Sequence, residues 1–221
     1  MKRAIVESRP FLLLSLLFAI SYYFVMDSNV PGLFLIFWKG AGVGFLAIYA
    51  LRRVATPDGR LIAAVMAFGA IGDMLIEIDL IAGALAFLVG HLIAIVLYTR
   101  NRREKTVFSQ KLLAFLLVPV TVFIAWSLPF DRTAAPGFAA YTLFLATMAA
   151  MAWTSSFPRY RVGAGALLFV LSDLLIFSRT GFLQNSTIPD WTVWPLYYVG
   201  QFMIVTGVVR TLRDRMHIAN P

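Results

Sequence analysis

Five ionisable residues, Lys39, Asp73, Glu77, His91 and Asp173, stand inside stretches too apolar to be anything but membrane spans. A charge carried into hydrocarbon is costly, so residues of this kind usually face a polar cavity and mark a functional site. The chain has 221 residues, 60% of them hydrophobic and 14% charged, against roughly half apolar in soluble domains. It reads as an all-α, polytopic membrane protein forming one transmembrane domain over residues 1–221. Almost every residue falls in a span or a short connection. The chain contains no cysteine, which excludes disulfides, thiolate metal sites and cysteine nucleophiles together.

Apolar runs lie at roughly 11–26, 32–51, 61–78, 80–99, 111–128, 138–155, 161–179 and 191–209, each close to the ~20 residues that cross hydrocarbon. Eight helices are therefore expected. Of the 19 lysines and arginines, 16 fall at the termini and in alternate connections, from Lys2 and Arg3 to Arg213 and Arg215. The other connections carry only Arg132 and Arg179, and Lys39 lies within a span. That bias places both termini in the cytoplasm. It also accounts for the net charge of +8 as a topological signal, so no nucleic-acid partner is expected. Ser21-Tyr22-Tyr23 lacks the small-residue pattern of a cleavage site, and the first apolar run reads as an uncleaved helix. Pro31-Gly32, Pro57-Asp58-Gly59, Pro129, Pro136-Gly137 and Pro189 read as connections. Pro119 and Pro195 fall within spans, where proline kinks helices.

A repeat is visible at a spacing of four helices. Gly72-Asp73-Met74-Leu75 in the third helix is echoed by Ser172-Asp173-Leu174-Leu175 in the seventh. Val89-Gly90-His91 in the fourth is echoed by Val199-Gly200-Gln201 in the eighth. An even-numbered offset implies parallel halves related by an axis along the membrane normal.

Counting along the spans puts the polar residues in one layer. At 1.5 Å per residue, Asp73 lies roughly 20 Å beyond Arg60, and Asp173 stands at nearly the same height beyond Arg161. Lys39, His91 and Gln201, on helices running the other way, lie roughly 12 to 17 Å below their outer starts. Tyr197 and Tyr198 sit just above Gln201. Glu77 shares the face of Asp73 one turn nearer the outer surface. Two aspartates beside a single lysine can hold different protonation states, one acid and one base. Structural readings compete with this: Glu77 as an interfacial carboxylate, both aspartates as a packing pair with Lys39, and His91 as an interhelical hydrogen-bonding residue. No HExxH motif or GxSxG elbow occurs, so no metal or other cofactor is expected, and carboxylate acid/base chemistry remains. Gly40 and Gly44 form a GxxxG suited to close helix packing. The tryptophans Trp38, Trp126, Trp153, Trp191 and Trp194 read mostly as an interfacial belt.

The segments Phe68-Gly69-Ala70-Ile71-Gly72-Asp73-Met74-Leu75, Phe87-Leu88-Val89-Gly90-His91, Gly165 through Asp173, and Tyr197-Tyr198-Val199-Gly200-Gln201 resemble, in this order, the YhhN-like lysoplasmalogenase family of integral membrane proteins. Lys39 is similar to that family's lysine on the second helix, while Gly40-Ala41-Gly42 departs from its usual proline-containing continuation. The resemblance implies an eight-helix scaffold and hydrolysis of the alkenyl ether bond of lysoplasmalogens, with a single-chain lysophospholipid as partner. Asp73 and Asp173 would then divide the acid and base roles and Glu77 would be a third participant. Lys39, His91, Tyr197, Tyr198 and Gln201 would bind substrate. The strong charge bias and short loops suit a bacterial inner membrane.

Two other functions fit the same polar layer: a proton-coupled carrier or lipid flippase, and a hydrolase of other lysophospholipids. No protein partner is expected. The cysteine-free background makes the first comparison direct. Single cysteines introduced near Asp73 should react with impermeant reagents from one face only, whereas a carrier exposes them to both.

Overall fold

The computed structural model describes residues 2–219, with side chains over 10–218. The side chains of Lys2, Arg3 and Arg9, which enter the charge bias, lie outside the described residues. Among those described, eight α-helices follow one another: α1 (Lys2–Val25), α2 (Gly32–Arg53), α3 (Pro57–Leu75), α4 (Leu80–Arg100), α5 (Phe108–Ser127), α6 (Ala135–Thr154), α7 (Ala164–Ser178) and α8 (Ile188–Ala219). A π-helical turn, Arg159–Gly163, leads into α7. Six helical stretches are long and apolar enough to cross a membrane, and the apolar part of α1, Pro10–Val25, is shorter. Large apolar side chains such as Phe34, Phe37, Phe115 and Phe123 are exposed, as a lipid-facing surface requires. The protein is an integral membrane protein.

Several segments read as connections are helix starts. Pro57 opens α3, Pro136 falls in the first positions of α6, and Pro189 is the second residue of α8. A proline in the first turn gives up an N–H that has no helical partner anyway. Thr56 completes the start of α3 by accepting a hydrogen bond at Oγ1 from the Gly59 amide, 3.1 Å away, as N-cap residues do. Asp79 does the same for α4, its Oδ1 accepting from the Ala82 amide at 2.7 Å. At the other end of the chain α8 outruns its apolar stretch by ten residues, to Ala219. There Arg210 and Asp214 are paired across one turn.

The chain packs as two compact units: Met1–Leu97 with Val205–Pro221, and Tyr98–Ile204. In the first, α2 packs on α1 and α3, and α4 packs on α3, where Gly90 faces Phe68 and Val65. Gly40 brings α2 close to α3: a Cβ there would lie 2.5 Å from the Met74 side chain and 3.1 Å from the Ala70 carbonyl. Gly44 lacks that role, its nearest neighbour being the Ala70 Cβ at 3.8 Å. In the second unit α6 packs on α5 and α7, and α7 crosses the first part of α8 glycine on glycine. A Cβ on Gly165 would stand 2.7 Å from the Gly200 carbonyl, and one on Gly200 would stand 2.6 Å from the Gly165 carbonyl.

The two units carry matching local patterns. Residues 61–76 and 161–176 run through the same order of buried, half-buried and exposed positions, step for step. Gly90 meets the Val65 carbonyl and the Phe68 Cβ, while Gly200 meets the Gly165 carbonyl and the Leu168 Cβ. Each contact on α3 has its counterpart one hundred residues later on α7.

Because backbone cannot yield as a flexible side chain does, Gly200→Val should destabilise the protein by about 1–3 kcal/mol through overpacking. Gly44→Ala should leave the melting temperature in detergent unchanged or slightly higher. A fluorescence melt of the two variants beside the parent checks both.

Candidate active site

In the first unit, α3 carries Asp73 and, one turn on, Glu77. Asp73 is among the most buried charged residues, with 2% of its surface exposed. It lies on the face of α3 that also buries Gly69, Ala70 and Gly72. Glu77 follows the end of α3 and its side chain is 39% exposed. Its Oε1 accepts a hydrogen bond from Lys39 Nζ on α2 at 2.5 Å. The Lys39 ammonium also sits 5.8 Å from the centroid of the Tyr22 ring on α1. Tyr22 itself is buried. His91, on α4, is buried as well. Three helices thus converge on Lys39, Glu77 and Tyr22. The expectation of a plain interfacial carboxylate at Glu77 is met only in part, because the group is partly exposed and ion-paired.

An apolar groove of about 650 Å³ lies beside this cluster, lined by Phe34, Phe37, Trp38, Ala41, Gly44 and Met74 among others. Its walls come from α1, α2 and α3, and small residues on α2 leave the space open. Trp38 lines it while donating its indole N–H to Ser21 Oγ at 2.9 Å, so it is more than a belt residue.

In the second unit, Asp173 on α7 is 6% exposed. Its Oδ2 accepts a hydrogen bond from the Tyr141 hydroxyl on α6 at 2.7 Å. The Tyr141 ring is fixed edge-on against Phe177 at 5.8 Å, and Phe138 stacks on the other part of the same cluster at 4.2 Å from Phe177. The neighbouring Ser172 hydroxyl donates to the Val193 carbonyl at 3.0 Å, in the turn of α8 that Pro195 interrupts. This bond sets the height of α7 against α8.

Gln201 is 1% exposed. Its Nε2 reaches the Tyr197 hydroxyl at a long 3.5 Å, while its Oε1 has no hydrogen-bond partner among the described residues. The Thr142 hydroxyl, next to Tyr141 in sequence, is also unpartnered there. Tyr197 packs edge-on against Phe169, their centroids 5.0 Å apart. Tyr198 stacks on Trp194, their centroids 6.1 Å apart. Trp194 is buried, which corrects its assignment to an interfacial belt: it lies on the same face of α8 as the buried Tyr197 and Tyr198. A buried acceptor with no donor favours a ligand that brings a hydroxyl or ammonium.

The site residues expected from sequence therefore fall into two described groups, Lys39, Asp73, Glu77 and His91 in one unit and Asp173, Tyr197, Tyr198 and Gln201 in the other. Tyr22 and Tyr141 are additions. Both belong to helix stretches with many aromatics, and a tyrosine near a span end looks like a membrane anchor until its hydroxyl partner is known.

The family model of the YhhN family matches residues 34–208. No curated protein and no solved structure matches the chain.

Removing the Tyr141 hydroxyl leaves a buried carboxylate short of a donor, a loss of roughly 1–3 kcal/mol. The Lys39–Glu77 pair is partly open to solvent and contributes at most about 1 kcal/mol. Tyr141→Phe should accordingly lower the melting temperature more than Glu77→Gln, as thermal unfolding in one detergent will show.

Proposed function

The chain belongs to the YhhN family, and from that premise we propose that it is a membrane-embedded lysoplasmalogenase. It hydrolyses the vinyl ether bond of lysoplasmalogens to a fatty aldehyde and glycerophosphoethanolamine or glycerophosphocholine. The observation that carries the reading is the pair of buried aspartates, Asp73 and Asp173, at equivalent steps of two helices with the same burial pattern.

Vinyl ether cleavage needs no strong nucleophile. A carboxylic acid delivers a proton to the alkenyl carbon remote from oxygen, leaving an oxocarbenium ion. A carboxylate takes a proton from water as that water adds to the cation, and the resulting hemiacetal collapses to aldehyde and alcohol. Acid and base groups positioned in this way contribute roughly 10²–10⁴-fold each. Asp73 and Asp173 divide these two roles. Tyr141 positions Asp173 through its hydroxyl, and Glu77 serves as a third carboxylate whose charge Lys39 balances.

Binding follows the same division. Lys39, a cation on α2 at the site, suits the substrate phosphate. His91, Tyr197 and Tyr198 bind substrate, and the unpartnered Gln201 Oε1 accepts from a glycerol hydroxyl or an ethanolamine ammonium. The groove along Ala41 and Gly44 takes the alkenyl chain, because its apolar lining accepts a chain out of the bilayer without desolvating any polar group.

The scaffold that goes with this reading has eight crossings, both termini in the cytoplasm, two parallel four-helix repeats within one transmembrane domain, and a place in a bacterial inner membrane. The equivalent contacts of Gly90 and Gly200 support the repeat, and the placement of basic residues supports the orientation.

Purified protein in detergent should release aldehyde from lysoplasmenyl-ethanolamine and leave an ester lysophospholipid intact. Asp73→Asn and Asp173→Asn should each lower the turnover by at least about 100-fold without loss of folding. Full activity in both folded variants overturns the mechanism, and no turnover of either lipid overturns the function.

A further inference from the structure

Three glycines lie in the interior of α2, and they serve different ends. A Cβ on Gly40 would run into the Met74 side chain on α3 at 2.5 Å, and one on Gly42 would press on Ala19 of α1, whose Cβ is 3.4 Å away. Both glycines let a neighbouring helix approach. A Cβ on Gly44 would instead meet one atom within 4 Å beyond its own turn, the Ala70 Cβ at 3.8 Å. Glycine inside a helix forfeits stability that alanine would keep, and at Gly44 no close helix contact accounts for it. What lies over Gly44 is the apolar groove of about 650 Å³.

The groove runs along α2 from a helix end to a helix middle. Its lining starts at Val30, before the helix, passes Phe34 and ends at Gly44, which stands opposite Ala70 near the middle of Gly32–Arg53. Phe34 to Gly44 is roughly 15 Å along the axis at 1.5 Å per residue, half of a hydrocarbon core about 30 Å thick. That is the depth of one leaflet. One wall is braced: Phe18 sits between Trp38 and Phe45, with ring centroids 6.2 and 5.4 Å away, and Trp38 is tied to Ser21. Rings held on both sides keep the space over Gly44 open.

We propose that Gly44 is a specificity-determining residue, the point over which the chain of a single-chain lipid must pass. The inference rests on the reading of the protein as a hydrolase of such lipids. Lys39 and Glu77 mark the head-group end, and Asp73 directly precedes Met74, the residue against which Gly40 packs. From Gly40 to Gly44 is one turn, roughly 6 Å. With the bond to be cut at the level of Asp73, a propyl chain ends short of Gly44, whereas an octadecyl chain crosses it. A leucine side chain at this position would project into the open space and obstruct the long chain alone.

Binding and turnover are measured on the intact, detergent-purified chain. Radiolabelled octadecyl ether lysophosphatidylethanolamine, which lacks the vinyl bond, gives a dissociation constant, and its propyl analogue competes for the site. Aldehyde release is followed from the octadecenyl and propenyl lysoplasmalogens. Gly44→Leu should weaken octadecyl binding roughly tenfold and leave the propyl inhibition constant unaltered. The octadecenyl-to-propenyl ratio of kcat/KM should fall by a similar factor, chiefly through KM. Gly44→Ala, which adds one carbon, should shift both readings the same way by less, and it carries the comparison if Gly44→Leu fails to fold. Saturable octadecyl binding that weakens in Gly44→Leu, without aldehyde from any lipid, upholds the role of Gly44 and overturns the hydrolase reading. Absence of saturable binding, unaltered octadecyl affinity in the folded variants, or equal losses for both chains overturns the proposal.

Discussion

A polar atom at membrane depth has no water to turn to, so it must be satisfied inside the protein or by what the protein binds. Helices settle the backbone. Short hydroxyl side chains settle themselves by bonding back to the carbonyl one turn earlier, as Thr121 does to Leu117, Thr147 to Leu143 and Thr192 to Ile188. Ser15 and Ser172 instead spend their hydroxyls across a helix contact, on the Gly42 and Val193 carbonyls. What is left over becomes informative. The Gln201 oxygen without a partner lies on a side chain that reaches Tyr197.

Close packing is the second consequence. Lipid offers no hydrophobic gain when two apolar helices meet, so the contacts rely on backbone approach and on van der Waals fit. The Gly165–Gly200 crossing and the Gly40–Met74 contact serve this purpose, and each lies on a helix that carries a site residue. Asp173 lies eight residues from Gly165 and Gln201 directly follows Gly200, so the crossing that joins α7 to α8 also sets their heights.

Part of the candidate site is legible in the sequence alone. Asp73, Asp173 and Gln201 announce themselves, because a charge or amide amid apolar residues is rarely neutral in its effects. Tyr141 does not. It reads as one more aromatic of α6, and only its 2.7 Å bond to Asp173 separates it from an anchor. Tyr22 likewise reads as part of a segment lacking a cleavage site, with no hint that it stands beside Lys39. The prolines at 57, 136 and 189 read as breaks because proline marks both loops and first turns, and only the capping partner tells which.

Taken alone, the order of amino acids determined the class of protein, the approximate place of each helix, and the buried aspartates, since hydrophobicity and its interruptions are local properties of the chain. It also determined the family, through short motifs kept in order along residues 34–208. Tertiary structure decided the pairings: Glu77 with Lys39, Asp173 with Tyr141, and the segment after α4 with the segment after α6. These pairings join residues between 32 and 55 positions apart. Whether two such side chains meet depends on helix rotation and on crossings only a few ångströms wide, which no local pattern encodes.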